Sequence, residues 1–185
     1  NADFSKLLAP YHGVEFIPSN VDILPILKAA YPSAEIIHNF SKSHVLVRVR
    51  VKDLLSAPIK NWHNNRPADI SRCKDIAQYF YRTRKYIDSE IYMNLVHKKN
   101  IFEIFDGIHR YESLSRVKDC IEDYDHTTSY GIHHELAWLY ESYIILNIRI
   151  SATEGEIIEA FQTLNKSNPV PELYTLTKSA DKRMC

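Results

Sequence analysis

Four residues near the middle of the chain, Asp106, Gly107, His109 and Arg110, combine a carboxylate, a glycine turn and two basic side chains. The sequence predicts a helix that begins near Ile108, so both basic residues would lie in its first turn. That position is electrostatically unfavourable, because the N-terminal end of a helix carries a partial positive charge. An anion held by Arg110 and by the free N–H groups of the first turn would remove the conflict. Phosphate is the anion that fits this arrangement best.

The same short stretch offers groups for phosphoryl chemistry. Asp106 stands where a carboxylate holds Mg²⁺ or acts as a base, and Glu112 is a second acidic candidate. His109 would stabilise charge on a transferred phosphoryl group or donate a hydrogen bond to it. Gly107 and the N–H of Ile108 would let a phosphate approach the backbone closely. The candidate catalytic residues are therefore Asp106, His109 and Glu112.

A simpler interpretation of this stretch involves no ligand. Asp106 is then a helix N-cap, Gly107 a turn, and Arg110 a surface residue paired with Glu112 or Glu103. The residue types alone leave both interpretations open.

The elements that must position these residues can be predicted from periodicity. Apolar runs at 91–96 and 101–105 flank a polar turn, which indicates a β-hairpin leading into the glycine. Leu114, Val117 and Ile121 recur at helical spacing and extend the following helix to about Tyr124.

Further elements follow the same reasoning. Residues 44–51 alternate apolar and basic side chains, which predicts a half-buried strand with Arg48 and Arg50 on one face, either in solvent or lining an anion groove. Asp69 is expected to cap a helix. A basic and aromatic cluster follows at the end of that helix, where its positive charges either stabilise the helix dipole or contact nucleic acid. Its members are Tyr79, Tyr81, Arg82, Arg84 and Lys85.

The C-terminal third is expected to contain a polar loop at 125–137, a strand at 143–150 and a helix capped by Thr153 and Glu156. The loop could close over a ligand. It holds His126, His133, His134 and Glu135, but their spacing is not that of a zinc-binding HExxH helix, and we predict no metal site there.

The run from Asp106 to Arg110, Asp-Gly-Ile-His-Arg, resembles the Asp-Gly-Gln/His-His-Arg signature of the ParB/sulfiredoxin-like superfamily. Upstream, residues 64–72 resemble the arginine-containing box before the first helix of that fold. Downstream, residues 161–165 and 169–170 resemble the ending of DGQHR domains. The resemblance covers roughly residues 45–170, with the boxes in the expected order.

The resemblance implies an α+β fold, a single domain with a small mixed sheet flanked by helices. The domain would span 44–170, after an extension at 1–43 and before a polar tail at 171–185. It also implies that Arg66 and Arg72 approach the phosphates of ATP or CTP, with Mg²⁺ held at Asp106. Sulfiredoxin has its cysteine where Ile108 stands, so repair of sulfinic acids is excluded.

Three functions are consistent with the resemblance. The first is a nucleotide-binding domain that hydrolyses or transfers a phosphoryl group in DNA metabolism or its regulation. The second is a kinase for a small molecule of the free-serine type. The third is a non-catalytic, DNA-associated regulatory module. Ile108 replaces the Gln or His of the signature and so removes a polar group from the motif.

Composition sets broader limits. The 185 residues are 45% hydrophobic and 25% charged, which is typical of a globular protein. The formal net charge of zero argues against a strong, dedicated duplex-DNA binder, because such proteins neutralise many phosphates. Three widely spaced cysteines suggest neither a disulfide framework nor a metal knuckle, so a cytoplasmic or nuclear location is expected. No apolar run is long enough to predict a membrane span.

Overall fold

The computed structural model describes residues 22–85, 89–123, 129–150 and 153–167, with backbone alone at 129–133 and 166–167. Within these ranges the strands are β1 (Glu35–Ser41), β2 (His44–Arg50), β3 (Ile59–Asn61), β4 (Ile91–Val96), β5 (Ile101–Asp106) and β6 (Tyr143–Ile150). The helices are α1 (Ile23–Ala30), α2 (Val51–Ser56), α3 (Ile70–Thr83), α4 (Ile108–Asp123), α5 (Ser129–Glu141) and α6 (Glu154–Ser167). None of the described helices is long and apolar enough to cross a membrane.

The six strands form one mixed sheet in the order β1-β2-β6-β4-β5-β3. Antiparallel pairs join β1 to β2, β2 to β6 and β4 to β5, whereas β4 and β6 are parallel, as are β3 and β5. The predicted α+β class with a mixed sheet and helices is confirmed. Because β3 and β5 are parallel, their C-terminal ends meet at one edge of the sheet. The loop after β3 and the helix after β5 both start there.

The strand patterns follow the alternation of the sequence. In β2, Val45, Val47 and Val49 are fully buried, whereas Arg48 and Arg50 are exposed on the other face, as predicted. In β4 and β6 one face of each strand is fully buried, whereas the other face is half-buried apart from the buried side chains of Asn94 and Asn147.

The segment expected to be an extension, 1–43, contributes to this core in its described part. The predicted short helix and short strand are both present, as α1 and β1. Asp22 caps α1 by accepting a hydrogen bond from the Leu24 N–H at 3.0 Å. Ile23, Leu27 and Tyr31 have no exposed surface. β1 is an edge strand, exposed along its whole length, and its pairing with β2 is irregular at two points.

The loop prediction for residues 125–137 is wrong from Ser129 onwards, where α5 begins. Leu139 is fully buried, and Leu136 and Trp138 pack against the core cluster. Their packing outweighs the local preference of the polar residues, because helix stability in proteins comes mainly from tertiary contacts. His126 lies outside the described residues.

The chain divides into two compact units. One comprises Phe16–Ala152, with the whole sheet, and the other comprises Asn1–Glu15 and Thr153–Cys185. In the second unit, the predicted capping box of α6 is confirmed. The Glu156 N–H donates to Thr153 Oγ1 at 3.2 Å, and the Thr153 N–H donates to Glu156 Oε2 at 3.3 Å.

Truncation of Tyr31 tests whether α1 and its neighbours belong to the core. We expect Tyr31→Ala to lower the free energy of unfolding by about 3–5 kcal/mol, the usual cost of removing a buried aromatic ring. Tyr31→Phe should change it by less than about 1.5 kcal/mol, because the hydroxyl donates only to the Met93 sulfur, at 3.7 Å. Urea denaturation measures both values. An alanine variant as stable as the phenylalanine variant would contradict the packing of Tyr31.

Candidate functional site

Gly107 forms the junction between β5 and α4 and has a φ of +94°. A Cβ at this position would lie 2.9 Å from Arg110 Nη1 and 3.2 Å from the Cα of Ile91. Both the backbone conformation and the lack of space therefore require glycine. The helix begins at once, since the Tyr111 N–H donates to the Gly107 carbonyl at 3.1 Å. A side chain three residues further on, in the first turn of α4, occupies the space left by the missing Cβ.

That side chain is Arg110, which folds back across the turn. Its Nη1 donates to the Glu90 carbonyl at 2.7 Å and lies 3.9 Å from Asp106 Oδ2. The surface pairing with Glu112 or Glu103 is not observed, and Glu103 lies 3.4 Å from the Lys60 ammonium instead. Nε and Nη2 of Arg110 have no hydrogen-bond acceptor among the described residues. Arg110 is thus held in place by one nitrogen, and its other donors remain available.

Asp106 is a partly buried carboxylate at the centre of a group of basic side chains. Burial raises the pKa of its carboxyl above the ordinary value of 3.8. Arg110, the Gly107 N–H, Arg72 and His109 lower that pKa, in decreasing order of effect, without reversing the shift. An ionised Asp106 therefore depends on its cationic neighbours.

His109 is neutral in this arrangement. Its Nε2 lies 3.0 Å from the Asp69 backbone N–H and accepts a hydrogen bond from it. A protonated imidazole has no lone pair with which to accept. Burial, followed by the charge of Arg72, lowers the pKa of His109, which agrees with this tautomer. Of the two basic residues predicted at the start of α4, only Arg110 therefore carries a permanent charge. His109 is neutral and keeps its Nδ1–H as a hydrogen-bond donor.

Arg72 brings the upstream motif to the same place. Asp69 caps α3, as predicted, by accepting hydrogen bonds from the N–H groups of Ser71 at 2.9 Å and Arg72 at 3.4 Å. The Arg72 side chain is exposed and has no acidic partner among the described residues, yet its charge acts on both Asp106 and His109. Two motifs that are 40 residues apart in the chain therefore meet through the Asp69–His109 contact.

Three further residues were predicted for the site, namely Ile108, Arg66 and Glu112. Ile108 is buried in the core, so that it contributes only its backbone N–H. The Arg66 carbonyl accepts a hydrogen bond from Asn61 Nδ2 at 3.0 Å, which places Arg66 near the end of β3 with an exposed side chain. The charge of Glu112 acts on Cys73 and Tyr111 and not on Asp106 or His109. The structure brings Asp106 and His109 together, since each charge acts on the pKa of the other group.

A chain of polar side chains that the sequence analysis did not identify supports the site from inside the sheet. His44 Nε2 lies 2.7 Å from Asn147 Oδ1, and Asn147 Nδ2 donates to Glu90 Oε2 at 3.3 Å. The Tyr92 hydroxyl also bonds to the Glu90 carboxylate, and burial and this bond raise the pKa of Tyr92 to about 12. Glu90 therefore links Arg110, through its carbonyl, to the centre of the sheet. A lone acidic residue before a strand gives no sequence signal of this role.

No group of three or more His, Cys, Asp or Glu side chains in the described residues is arranged to hold a metal ion. Asp106 is a single carboxylate, so it suits Mg²⁺ only where phosphate oxygens and water complete the coordination. Glu135, from the predicted loop, pairs with Arg84 at 2.6 Å.

No protein-family model, no curated protein and no solved structure matches this chain. The resemblance to the ParB/sulfiredoxin-like superfamily therefore rests on the sequence motifs alone.

Replacement of Gly107 tests the turn. Gly107→Ala should lower the free energy of unfolding by about 1–3 kcal/mol, because alanine is strained at positive φ and its Cβ would contact the Ile91 backbone. Urea denaturation measures the loss. Gly155→Ala, within α6, is the matched control and should be neutral or stabilising by up to about 1 kcal/mol. Equal effects at the two positions would contradict the requirement for glycine at 107.

The raised pKa of Asp106 predicts a pH dependence. Between 3.8 and the raised value, the folded protein binds a proton that the unfolded chain releases. The contribution of this carboxyl to stability is therefore fully present below pH 3.8 and is lost as the pH rises through the raised pKa. Asp106→Asn does not titrate, so the stability of the wild type relative to this variant should decline over that interval and then stay constant. Urea midpoints across the acidic range measure the difference, and an increase with pH would contradict it.

Proposed function

We propose that this chain is a ParB-like domain that binds the phosphate groups of a nucleoside triphosphate at the Gly107 turn, in DNA metabolism or its regulation. One observation carries the proposal. The Asp69–His109 contact joins the two motifs and brings the exposed Arg72 near enough to the start of α4 that its charge acts on His109 and Asp106.

The local charge favours an anion. Arg72 and Arg110 are permanent cations, Asp106 is the carboxylate on which both act, and His109 is neutral. The first-turn N–H groups of α4 have no partner within the helix and carry its positive dipole. Charge-assisted hydrogen bonds to a phosphate would satisfy these donors together with the free nitrogens of Arg110.

The chemistry of a bound triphosphate would use two further groups. Asp106 would share Mg²⁺ with the phosphate oxygens, or accept a proton, for which a raised pKa makes a carboxylate more effective. His109 would donate from Nδ1 to a phosphoryl oxygen. This arrangement supports a nucleotide-dependent hydrolase or phosphotransferase.

A non-catalytic nucleotide-binding module is the second candidate. It is favoured by Ile108, which is buried and supplies no polar group where the signature has Gln or His. It is also favoured by Glu112, whose charge acts on Cys73 and Tyr111. Both candidates share the phosphate site and differ in turnover.

A thermal-shift panel of ATP, CTP, GTP, UTP and ADP with Mg²⁺ tests the site. A nucleotide at about one hundred times its Kd stabilises the protein by about 2.7 kcal/mol, which corresponds to a rise in Tm of about 5–10 °C. Arg72→Gln should abolish the rise, because its guanidinium has no structural partner among the described residues. Lys74→Gln, at an exposed position two residues further along the same helix, is the control and should keep the rise. Arg110→Ala is less informative, since it also releases the Glu90 carbonyl.

The products of nucleotide turnover then separate the candidates. Free phosphate formed with Mg²⁺ alone indicates a hydrolase. Transfer of the phosphoryl group to serine or another hydroxyl acceptor, without free phosphate, indicates a kinase, and a Tm rise without turnover indicates a regulatory module. No Tm rise with any nucleotide, or a rise that persists in Arg72→Gln, would contradict the proposed site.

A further inference from the structure

A groove of about 650 Å³ lies at the other end of α3, away from the Gly107 turn. It is lined by Ile37, Arg48, Phe80, Arg84, Ser142, Tyr143 and Ile145. Ile37 lies in β1 and Arg48 in β2, Phe80 and Arg84 lie at and just after the end of α3, and the remaining three residues lie just before and in the first half of β6. Arg72 and Arg84 are about 18 Å apart along the helix, at about 1.5 Å per residue, so this groove is separate from the proposed phosphate site.

Both arginines of the groove lie over aromatic rings. The Arg84 guanidinium carbon is 3.6 Å from the centre of the Trp138 ring and 4.7 Å from that of Tyr81. The Arg48 guanidinium carbon is 4.5 Å from the centre of the Tyr143 ring, and Arg50 approaches the same ring at 5.3 Å. Such contacts hold a guanidinium in position and lower the entropy that it loses on binding a ligand.

The ion pairs of these arginines leave them accessible. Arg48 pairs with Glu35 at 2.7 Å, and their side chains are 46% and 55% exposed. Arg84 pairs with Glu135 at 2.6 Å, and their side chains are 36% and 32% exposed. Exposed pairs of this kind contribute little to stability, so a phosphate can compete with the glutamate for each arginine. The guanidinium groups are therefore both ordered and accessible to solvent.

The surroundings combine further aromatic and basic side chains. Tyr79 and Tyr81 are 50% and 44% exposed, and Ile37 is 49% exposed at the groove. Arg82 and Lys85 are also exposed near the end of α3. The two groups of basic residues identified in the sequence, on β2 and after α3, thus come together on one surface, although the chain as a whole carries no net charge.

We propose that this groove binds single-stranded nucleic acid. The outer faces of Arg48 and Arg84 would stack on bases, and their N–H groups would hold the phosphates, while exposed tyrosines offer further stacking surfaces. An acidic polypeptide would supply the negative charge but no rings for these surfaces. The neutral net charge is compatible with this proposal, because a single strand in a short groove meets few phosphates. The proposal does not depend on nucleotide binding at Gly107.

Fluorescence anisotropy with a labelled single-stranded oligonucleotide and the full chain, at low salt, tests the groove. The double variant R48Q/R84Q should weaken binding at least tenfold and reduce the slope of log K against log salt by about one per arginine that contacts a phosphate. The charge-matched control K74Q/K99Q, on exposed positions of α3 and the β4–β5 turn, should change binding less than twofold.

A second variant separates stacking from charge. R84K keeps the positive charge but loses the planar group, so it should retain the salt slope and still bind several-fold more weakly than the wild type. Wild-type affinity in the R48Q/R84Q and R84K variants would overturn the proposal, as would the absence of oligonucleotide binding by the wild type. Polyglutamate that competes as strongly as the oligonucleotide would also overturn it and would indicate an acidic polypeptide instead.

Discussion

The arrangement around the start of α4 depends on the hydrogen bond from Arg110 to the Glu90 carbonyl. This bond passes directly over Gly107, where a Cβ would lie 2.9 Å from the Arg110 nitrogen. The missing side chain therefore does more than permit a positive φ, because it also provides the space in which the arginine connects the helix to the residue before β4. Through the Glu90 carboxylate the connection continues to Asn147 in β6. One glycine thus allows a polar link between a helix start and the middle of the sheet.

Much of the fold could be predicted from local patterns. The alternation of β2, the hairpin of β4 and β5, the Asp69 cap and the capping box of α6 depend on neighbours in sequence, and all are confirmed. The strand order could not be predicted, because β2 pairs with β6 across about a hundred residues. Helix α5 was missed because its polar residues resemble a loop, whereas the burial of Leu139 depends on partners distant in the chain.

The sequence predicted which residues lie near the start of α4, but only part of their charge states and hydrogen bonds. Spacing alone placed Asp106, Gly107 and Arg110 together, and the resemblance added Arg72. The sequence could not predict that His109 accepts a hydrogen bond from the Asp69 backbone, which makes it neutral, because that contact joins the starts of two helices that are distant in the chain. Nor could it show that Arg110 is anchored by a backbone carbonyl, since a carbonyl leaves no signature in the sequence.

The irregular pairing of β1 with β2 affects whether the exposed edge of the sheet can pair with a strand of another protein molecule. An exposed edge strand with Ile36 and Phe40 on its surface offers unsatisfied backbone groups and apolar side chains to any second strand. The two register shifts, between Ile36 and His38 and between Asn39 and Ser41, interrupt the regular spacing of those backbone groups. A straight strand from another molecule cannot match such an edge along its length. The irregularities thus protect the sheet from fibrillar self-association at the edge where it is most exposed.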